Sequence, residues 1–529
     1  MSLQEKDAVG GDVEKTGRRE MDSPTNVSPP PTTTGRWTRS AALLARAAAF
    51  GRVEVKGIAP IPVKERTVQE TVNIFTLWWC MNTNTLPITF GMLGPAIGLS
   101  LRDSSLVILF FSLLTTLLPA YLSTWGPKLG MRQMIQARFS FGRYLVSIPV
   151  LLNLATLTGF CVIMAVIGGQ GLAAIAAGNL SVNVGIVIIA LLAMLISFCG
   201  FRVLHTYERY AWIPALVALV VAVGCGGASL RSQAVPEAPP TARGVLTFGM
   251  LIASYMIPWA CLASDFTTYL SPATSPAKIF WYSYLGLLVP SVTLMVLGAA
   301  IAGAIPSSPS WSAGYDSYLV GGVLAAMLEP AGGFGKFLVV VLSFTLLGNM
   351  AATSYSVTLN LQMLIPILFR VPRYVFAVVI AAIIIPVSIR AAVDFFASLE
   401  NFIGLIGYWS SAFLGVVLAE HWWFRGGDYE RYDVDAWNTA RLLPWGVAAM
   451  AAGVGSFGLV VPSMDQAWFV GPIAERTGDI GFELAFVVAG GCMCRFGILR
   501  RGWRGGDVMG EVSCLGWDGE RGERLKTSR

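Results

Sequence analysis

The chain has 529 residues, of which 55% are hydrophobic and only 13% charged, with a formal net charge of +6. A soluble domain carries roughly a quarter charged residues, so a mean hydropathy of +0.64 places this chain in a membrane. The apolar runs are long and continuous, which excludes a β-barrel, and the basic residues cluster between them, which points to topology rather than to a nucleic-acid partner.

Residues 1–55 are rich in Ser, Thr, Pro, Gly and charge and are expected to form a disordered cytoplasmic tail. A membrane domain is expected over 56–498, followed by a cytoplasmic tail over 499–529. Twelve spans are predicted: 71–99, 104–124, 146–177, 182–201, 210–229, 243–265, 279–304, 335–362, 372–390, 394–423, 442–462 and 479–498. The last is the least regular, because its uninterrupted apolar run, Leu484 to Cys494, is short for a crossing. Loops on one side carry Lys128, Arg132, Arg138, Arg143, Arg202, Arg209, Lys278, Arg370, Arg373, Arg425 and Arg431. The opposite loops hold only Arg102, Arg231, Arg243, Arg390 and Arg476, so both termini are expected in the cytoplasm.

Two spans are broken. The first places Asn82-Thr-Asn-Thr85 and then Pro87 in the middle of an apolar stretch that runs from Leu77 to Pro95. Polar, interrupted backbone at membrane depth is tolerated only beside a cavity or a neighbouring helix. Five spans later, Ala253-Ser-Tyr-Met-Ile-Pro-Trp-Ala-Cys-Leu-Ala-Ser-Asp265 is interrupted by Pro258, and each break has a Trp near it. Broken helices at equivalent places in two halves are the sequence mark of an inverted-repeat transporter with a site at the bilayer midplane.

Four stretches make the chain resemble the nucleobase:cation symporter-1 family, and within it the fungal purine–cytosine permeases. They are Trp78 to Pro95; Gly126-Pro-Lys-Leu-Gly-Met-Arg-Gln-Met-Ile-Gln-Ala-Arg-Phe-Ser-Phe-Gly142; His205-Thr-Tyr-Glu-Arg-Tyr-Ala-Trp-Ile-Pro214; and Trp259 to Asp265 with Phe280-Trp-Tyr-Ser-Tyr-Leu-Gly-Leu. The resemblance covers about residues 55–488. It implies an all-α polytopic membrane protein with a LeuT-type five-plus-five inverted repeat and two further spans. It also implies a plasma-membrane symporter for a small heterocycle that moves with a cotransported cation: a proton in fungal members, sodium in some bacterial relatives. No organic cofactor is expected, and no ATP-binding loop of the G-x-x-x-x-G-K-[ST] type is present in the sequence.

A nucleobase needs an aromatic face to stack on and a few polar groups for its edge. Trp259 matches the family's stacking residue, Asn82 and Asn84 match its paired Asn, and Cys80 stands where a Ser is common. Span three departs from the pattern: Phe160 replaces a Trp, and Met164, one turn on, replaces an amide. Span eight departs too, with Thr353 where relatives carry Asn. Asn82 and Asn84 are then the main amides left to read a ligand's edge. Such losses change specificity, so a vitamin-like pyridine of the pyridoxine type is the alternative substrate. Coupling candidates are Asp265, on the broken helix, and Glu400, near Asp394 at the start of span ten. Glu420 and His421 close that span, and Glu208, between His205 and Arg209, reads as a loop salt-bridge hub.

Other classes fit less well. Only two histidines are present, far apart, so no metal or acid–base cluster for an enzyme is expected. Cys492 and Cys494 form a lone C-x-C without partners. A non-transporting nutrient receptor would keep the pocket and lose the turnover.

Overall fold

The computed structural model describes residues 57–176, 178–198, 210–365, 368, 371 and 373–503, with side chains to 496 except at Phe198, Arg373 and Tyr374. The two expected tails, apart from the residues from Leu499 to Trp503, lie outside the described residues, as do His205, Glu208 and Arg209.

Each predicted span is met by a helix or a broken pair of helices. The first is α1 (Val72–Asn82) and α2 (Thr85–Ala96). The second is α3 (Leu101–Thr115), prolonged by short turns as far as Leu129. The third to fifth are α4 (Ser147–Ile175), α5 (Val182–Phe198) and α6 (Trp212–Leu230). The second half opens with α7 (Ala242–Met256), which gives way to 3₁₀ turns over Ile257–Cys261 and Ala263–Phe266. Pro258 sits in the first turn of that 3₁₀ segment, where its missing N–H costs no helical bond.

The half continues through α8 (Pro276–Ala304), α9 (Pro309–Leu328), α10 (Gly332–Phe344), α11 (Leu346–Leu364), α12 (Arg373–Ala391) and α13 (Phe395–Ala419). The last two crossings are α14 (Val447–Val460) and α15 (Gly481–Trp503), joined through a two-stranded hairpin, β1 (Asp465–Gln466) and β2 (Phe469–Val470). A broken helix therefore opens each five-span half, which is the expected inverted repeat. The final helix runs to Trp503, so the short apolar run at its centre belongs to a helix long enough to cross.

Between lipid-bathed helices the hydrophobic effect does little, and close backbone approach has to hold them together. At Gly91 of α2 an added Cβ would lie 1.8 Å from the Met295 carbonyl oxygen of α8, and at Gly298 of α8 it would lie 2.0 Å from that of Ile88. The two helices thus touch backbone to backbone on either side of their crossing. This seats the far half of the broken first span on the seventh.

One element was not predicted. The loop between spans seven and eight contains α9, a helical hairpin folded at Tyr318 (φ −141°, ψ 24°) and Leu319 (φ 48°, ψ −128°). Gly314 and Gly322 face each other across the fold, and Gly321 lies against the backbone of Gln170 and Gly171 in α4. Trp311, Val320, Val323, Leu324, Met327 and Leu328 are buried, so the hairpin is packed rather than solvated.

Candidate functional site

The break between α1 and α2 is two residues long. Thr83 leaves the helix at φ −87°, ψ 70°, and Asn84 is extended at φ −150°, ψ −178°. Asn84 Oδ1 accepts the Leu86 backbone N–H at 2.8 Å, which caps α2, and its Nδ2 donates to the Met81 carbonyl at 2.6 Å. Asn349 of α11 donates to the same carbonyl at 2.8 Å, and Thr353, one turn on, donates to Asn349 Oδ1 at 3.0 Å. The chain end freed by the break is therefore held from span eight.

Asn82 ties the break to the other half. Its Nδ2 donates to the Trp78 carbonyl at 2.9 Å, and its Oδ1 accepts from the Tyr255 hydroxyl at 2.8 Å and from Ser291 at 3.2 Å. Asn82 and Asn84, expected to contact a ligand or to line the break, here line the break. Both are fully buried and bonded to the protein's own backbone and hydroxyls. Tyr255, Ser291 and Asn349, which complete the network, carried no local signal in the sequence. Only the contact between spans one, six, seven and eight exposes them.

Trp259 lies in the 3₁₀ segment where α7 breaks and is buried. Its ring meets Trp78 edge to face at a centroid distance of 5.7 Å, and Trp78 meets Phe266 in the same way at 5.5 Å. The indole nitrogens of Trp259 and Trp78 are buried with no hydrogen-bond acceptor. An indole N–H normally finds one when buried. Both breaks thus share an aromatic cluster with unused donors.

The remaining candidates lie around this centre. Cys80 is buried in α1, one turn before the break. Phe160 of α4 packs edge-on against Phe402 of α13 at 5.8 Å, and Met164 is fully buried one turn on. Cys161, between them, lies 3.9 Å from the Met350 carbonyl, so α4 and α11 touch beside Asn349. Thr353 is buried and its hydroxyl proton is spent on Asn349.

The coupling candidates are placed at opposite ends of the bundle. Asp265 accepts the Gln133 backbone N–H at 2.9 Å and the Ser356 hydroxyl at 3.3 Å, and the Arg132 guanidinium bonds to its carbonyl. It joins the 3₁₀ end of span six to span eight and to the basic loop after span two. Glu400 instead lines a cavity of about 430 Å³ with Pro95, Gln233, Tyr315 and Phe396. Asp394 stands 4.0 Å from Arg390, both largely exposed. Glu420 pairs with Arg425 at 3.1 Å and His421 Nδ1 meets the Tyr432 hydroxyl at 3.1 Å. Among the described residues no group of three His, Cys, Asp or Glu is placed to hold a metal ion.

A second polar cluster, unforeseen from the sequence, ties the last two spans to the core. Tyr408 of α13 donates to Asp479, Gln466 donates to Tyr408 at 2.8 Å, and Asp465 forms a two-pronged pair with Arg243 at 2.8 Å. The Arg243 guanidinium holds the Asp465 carboxyl below the usual carboxylate range.

Residues 60–471 match a family model described as a permease for cytosine/purines, uracil, thiamine and allantoin. A purine-cytosine permease of Emericella nidulans is 33% identical over 455 residues, covering 85% of this chain and 89% of the relative. A vitamin B6 transporter of Saccharomyces cerevisiae is 28% identical over 501 residues, covering 84% and 86%. Among solved structures, a nucleobase-cation-symport-1 family transporter in a closed conformation with bromovinylhydantoin bound superposes with a TM-score of 0.64. It shares 16% identity and covers 84% of this chain and 96% of its own. The chain is therefore a secondary transporter rather than an enzyme, and it belongs to the nucleobase:cation symporter-1 family, in its purine–cytosine permease branch.

Proposed function

We propose that this permease imports a purine or pyrimidine base, or a closely related planar heterocycle, across the plasma membrane together with a proton. The observation that carries the reading is Trp259. It stands at the break of span six, edge-on to Trp78 from the break of span one, with its indole N–H unused. A planar ligand stacked there gains an aromatic face. Asn82, Asn84, Asn349 and Thr353 hold the break that forms the floor, with Cys80 beside it. Phe160 and Met164 supply the wall from span three. The purine-cytosine permease relative, at 33% identity, supports the substrate class.

Asp265 is the group assigned to coupling. It links the broken span six to span eight and to the basic loop, so a change in its charge acts on elements from both halves at once. Glu400 belongs to the cavity at the far end and is assigned to the entry path. Both termini lie in the cytoplasm under the distribution of Lys and Arg.

A pyridine of the pyridoxine type is the second reading. What favours it is the loss of edge-reading amides at Met164 and Thr353, together with the vitamin B6 transporter relative. Uptake of labelled cytosine by cells expressing Trp259→Ala, at matched surface abundance, tests the site. The variant is expected to lose uptake by about a hundredfold or more, as removal of a main stacking face demands. Unchanged kinetics would contradict the assignment. Competition by pyridoxine but not by adenine or cytosine would select the second reading.

A further inference from the structure

A groove of about 990 Å³ lies between α4, α11, α12 and α13. Its rim faces outward and is apolar: Leu151 of α4 and Val379, Ile383 and Val387 of α12 are exposed. Its floor, which includes Val162, Ile380 and Leu399, is buried. The polar side chains are gathered at one end, where Arg390 stands at the close of α12 and Asp394 and Ser398 at the opening of α13. Among the described residues the only other polar side chain in the lining is Thr158. From Arg390 back along α12 to Val379 the groove runs about 16 Å at the helical rise. That is close to half of the roughly 30 Å hydrocarbon core of a bilayer, the depth of one leaflet.

Two contacts keep the groove from closing. Ser388 of α12 donates to the Val162 carbonyl of α4 at 3.3 Å, and Phe402 of α13 rests on Gly159 of α4, where an added Cβ would lie 1.9 Å from the ring. An apolar hollow offers water too few polar partners, and left empty its lining forfeits dispersion contacts, so hydrocarbon is what fits it. At the polar end Arg390 and Asp394 stand 4.0 Å apart with side chains 77% and 70% exposed. So long and exposed a pair holds little energy, and each charge can pair with a headgroup instead. We propose that this groove binds one zwitterionic diacyl phospholipid, its chains along α4 and α12, its phosphate at Arg390 and its ammonium at Asp394. An anionic headgroup offers Asp394 no cation, and an uncharged diacylglycerol pairs with neither residue. The site goes beyond the transport reading and needs only that the chain sits in a membrane.

The test is native mass spectrometry of the purified, delipidated full chain after adding back phosphatidylcholine, phosphatidylglycerol or diacylglycerol with the same acyl chains. Wild type is expected to carry one phosphatidylcholine and to prefer it to phosphatidylglycerol by about threefold, the scale of an exposed charge pair. Ile383→Trp and Ala155→Trp, which fill the groove, are expected to lose the bound lipid. Val220→Trp, at a position of α6 outside the groove that is 62% exposed, is expected to keep it. Asp394→Asn is expected to lose the preference over phosphatidylglycerol, and Arg390→Gln the preference over diacylglycerol. Thermal melting checks that each variant is folded. A wild type that retains no lipid, or retention in the groove-filled variants equal to that in Val220→Trp, would overturn the proposal. So would equal binding of the three probes by wild type, or a copurifying sterol that Ile383→Trp displaces. None of these outcomes depends on uptake, so the transport reading stands or falls separately.

Discussion

At Met164 and Thr353 the purine–cytosine pattern and the observed packing can be set against each other. Both side chains are buried beside the contact of spans three and eight, and neither presents an amide to a ligand. Replacing both with Asn restores the edge-reading pair that the family pattern carries there. Met164→Asn with Thr353→Asn is expected to improve competition by cytosine by about tenfold, since one good hydrogen bond to a ligand is worth roughly 1.4 kcal/mol. The same change lowers the stability of the empty protein by about 1–3 kcal/mol, because the new amides are unsatisfied until ligand arrives. Inhibition constants for cytosine measured on uptake, with melting curves alongside, check both parts; no gain for cytosine would contradict the placement of these residues at the site. Asn82 shows where a single residue leaves two uses open. Its position inside an apolar span marked the break correctly, but an amide beside a break serves the chain as readily as a ligand. Its partners Tyr255 and Ser291 lie 173 and 209 residues away. No local pattern separates those two uses.

Among the elements, the broken spans were legible because Pro258 and the Asn82–Pro87 stretch interrupt otherwise apolar runs. The α9 hairpin was not, because its buried residues are interleaved with Gly and Ser and its fold depends on packing against α4. The contact of α2 with α8 makes a direct prediction. Gly298→Val drives a side chain into the Ile88 carbonyl, and a membrane bundle closed by backbone contact cannot widen there without parting its helices. The variant is expected to fail to reach a folded, surface-delivered state. Gly224→Val, whose added Cβ meets nothing within 4 Å, is expected to behave as wild type. Size-exclusion profiles of fluorescently tagged protein distinguish the two, and equal profiles would contradict the packing account.

The β hairpin carries a prediction in pH. Asp465 is held below its usual range by Arg243, so the stability it contributes is present above about pH 4, the unfolded carboxyl value, and is lost as pH falls through the lowered folded value. Arg243 is half exposed, so solvent screening keeps the effect below about 1 kcal/mol. Melting temperature followed from about pH 5 down to pH 3 is expected to fall more steeply in wild type than in Asp465→Asn. Parallel slopes would contradict the pairing.

At the scale of the whole molecule, two broken helices meet across an inverted repeat, with Trp78 and Trp259 in contact between them. The hydrophobic runs and the paired breaks made that architecture readable from the sequence. The lining of the proposed site was less so, because its residues come from spans that lie far apart along the chain. The Asp265 hub bonds the basic loop after span two, the end of span six and span eight together. Under the coupling role proposed for Asp265, these bonds are the ones that would have to change when the halves rock apart. The central claim is concentrative, proton-driven uptake of a heterocycle, and purified protein in sealed proteoliposomes with labelled cytosine in the external medium tests it most directly. With an inward proton gradient the account predicts accumulation above the external concentration, collapse on adding a protonophore, and loss of accumulation in Asp265→Asn. Saturable binding without accumulation, or accumulation driven by a sodium gradient alone, would contradict it.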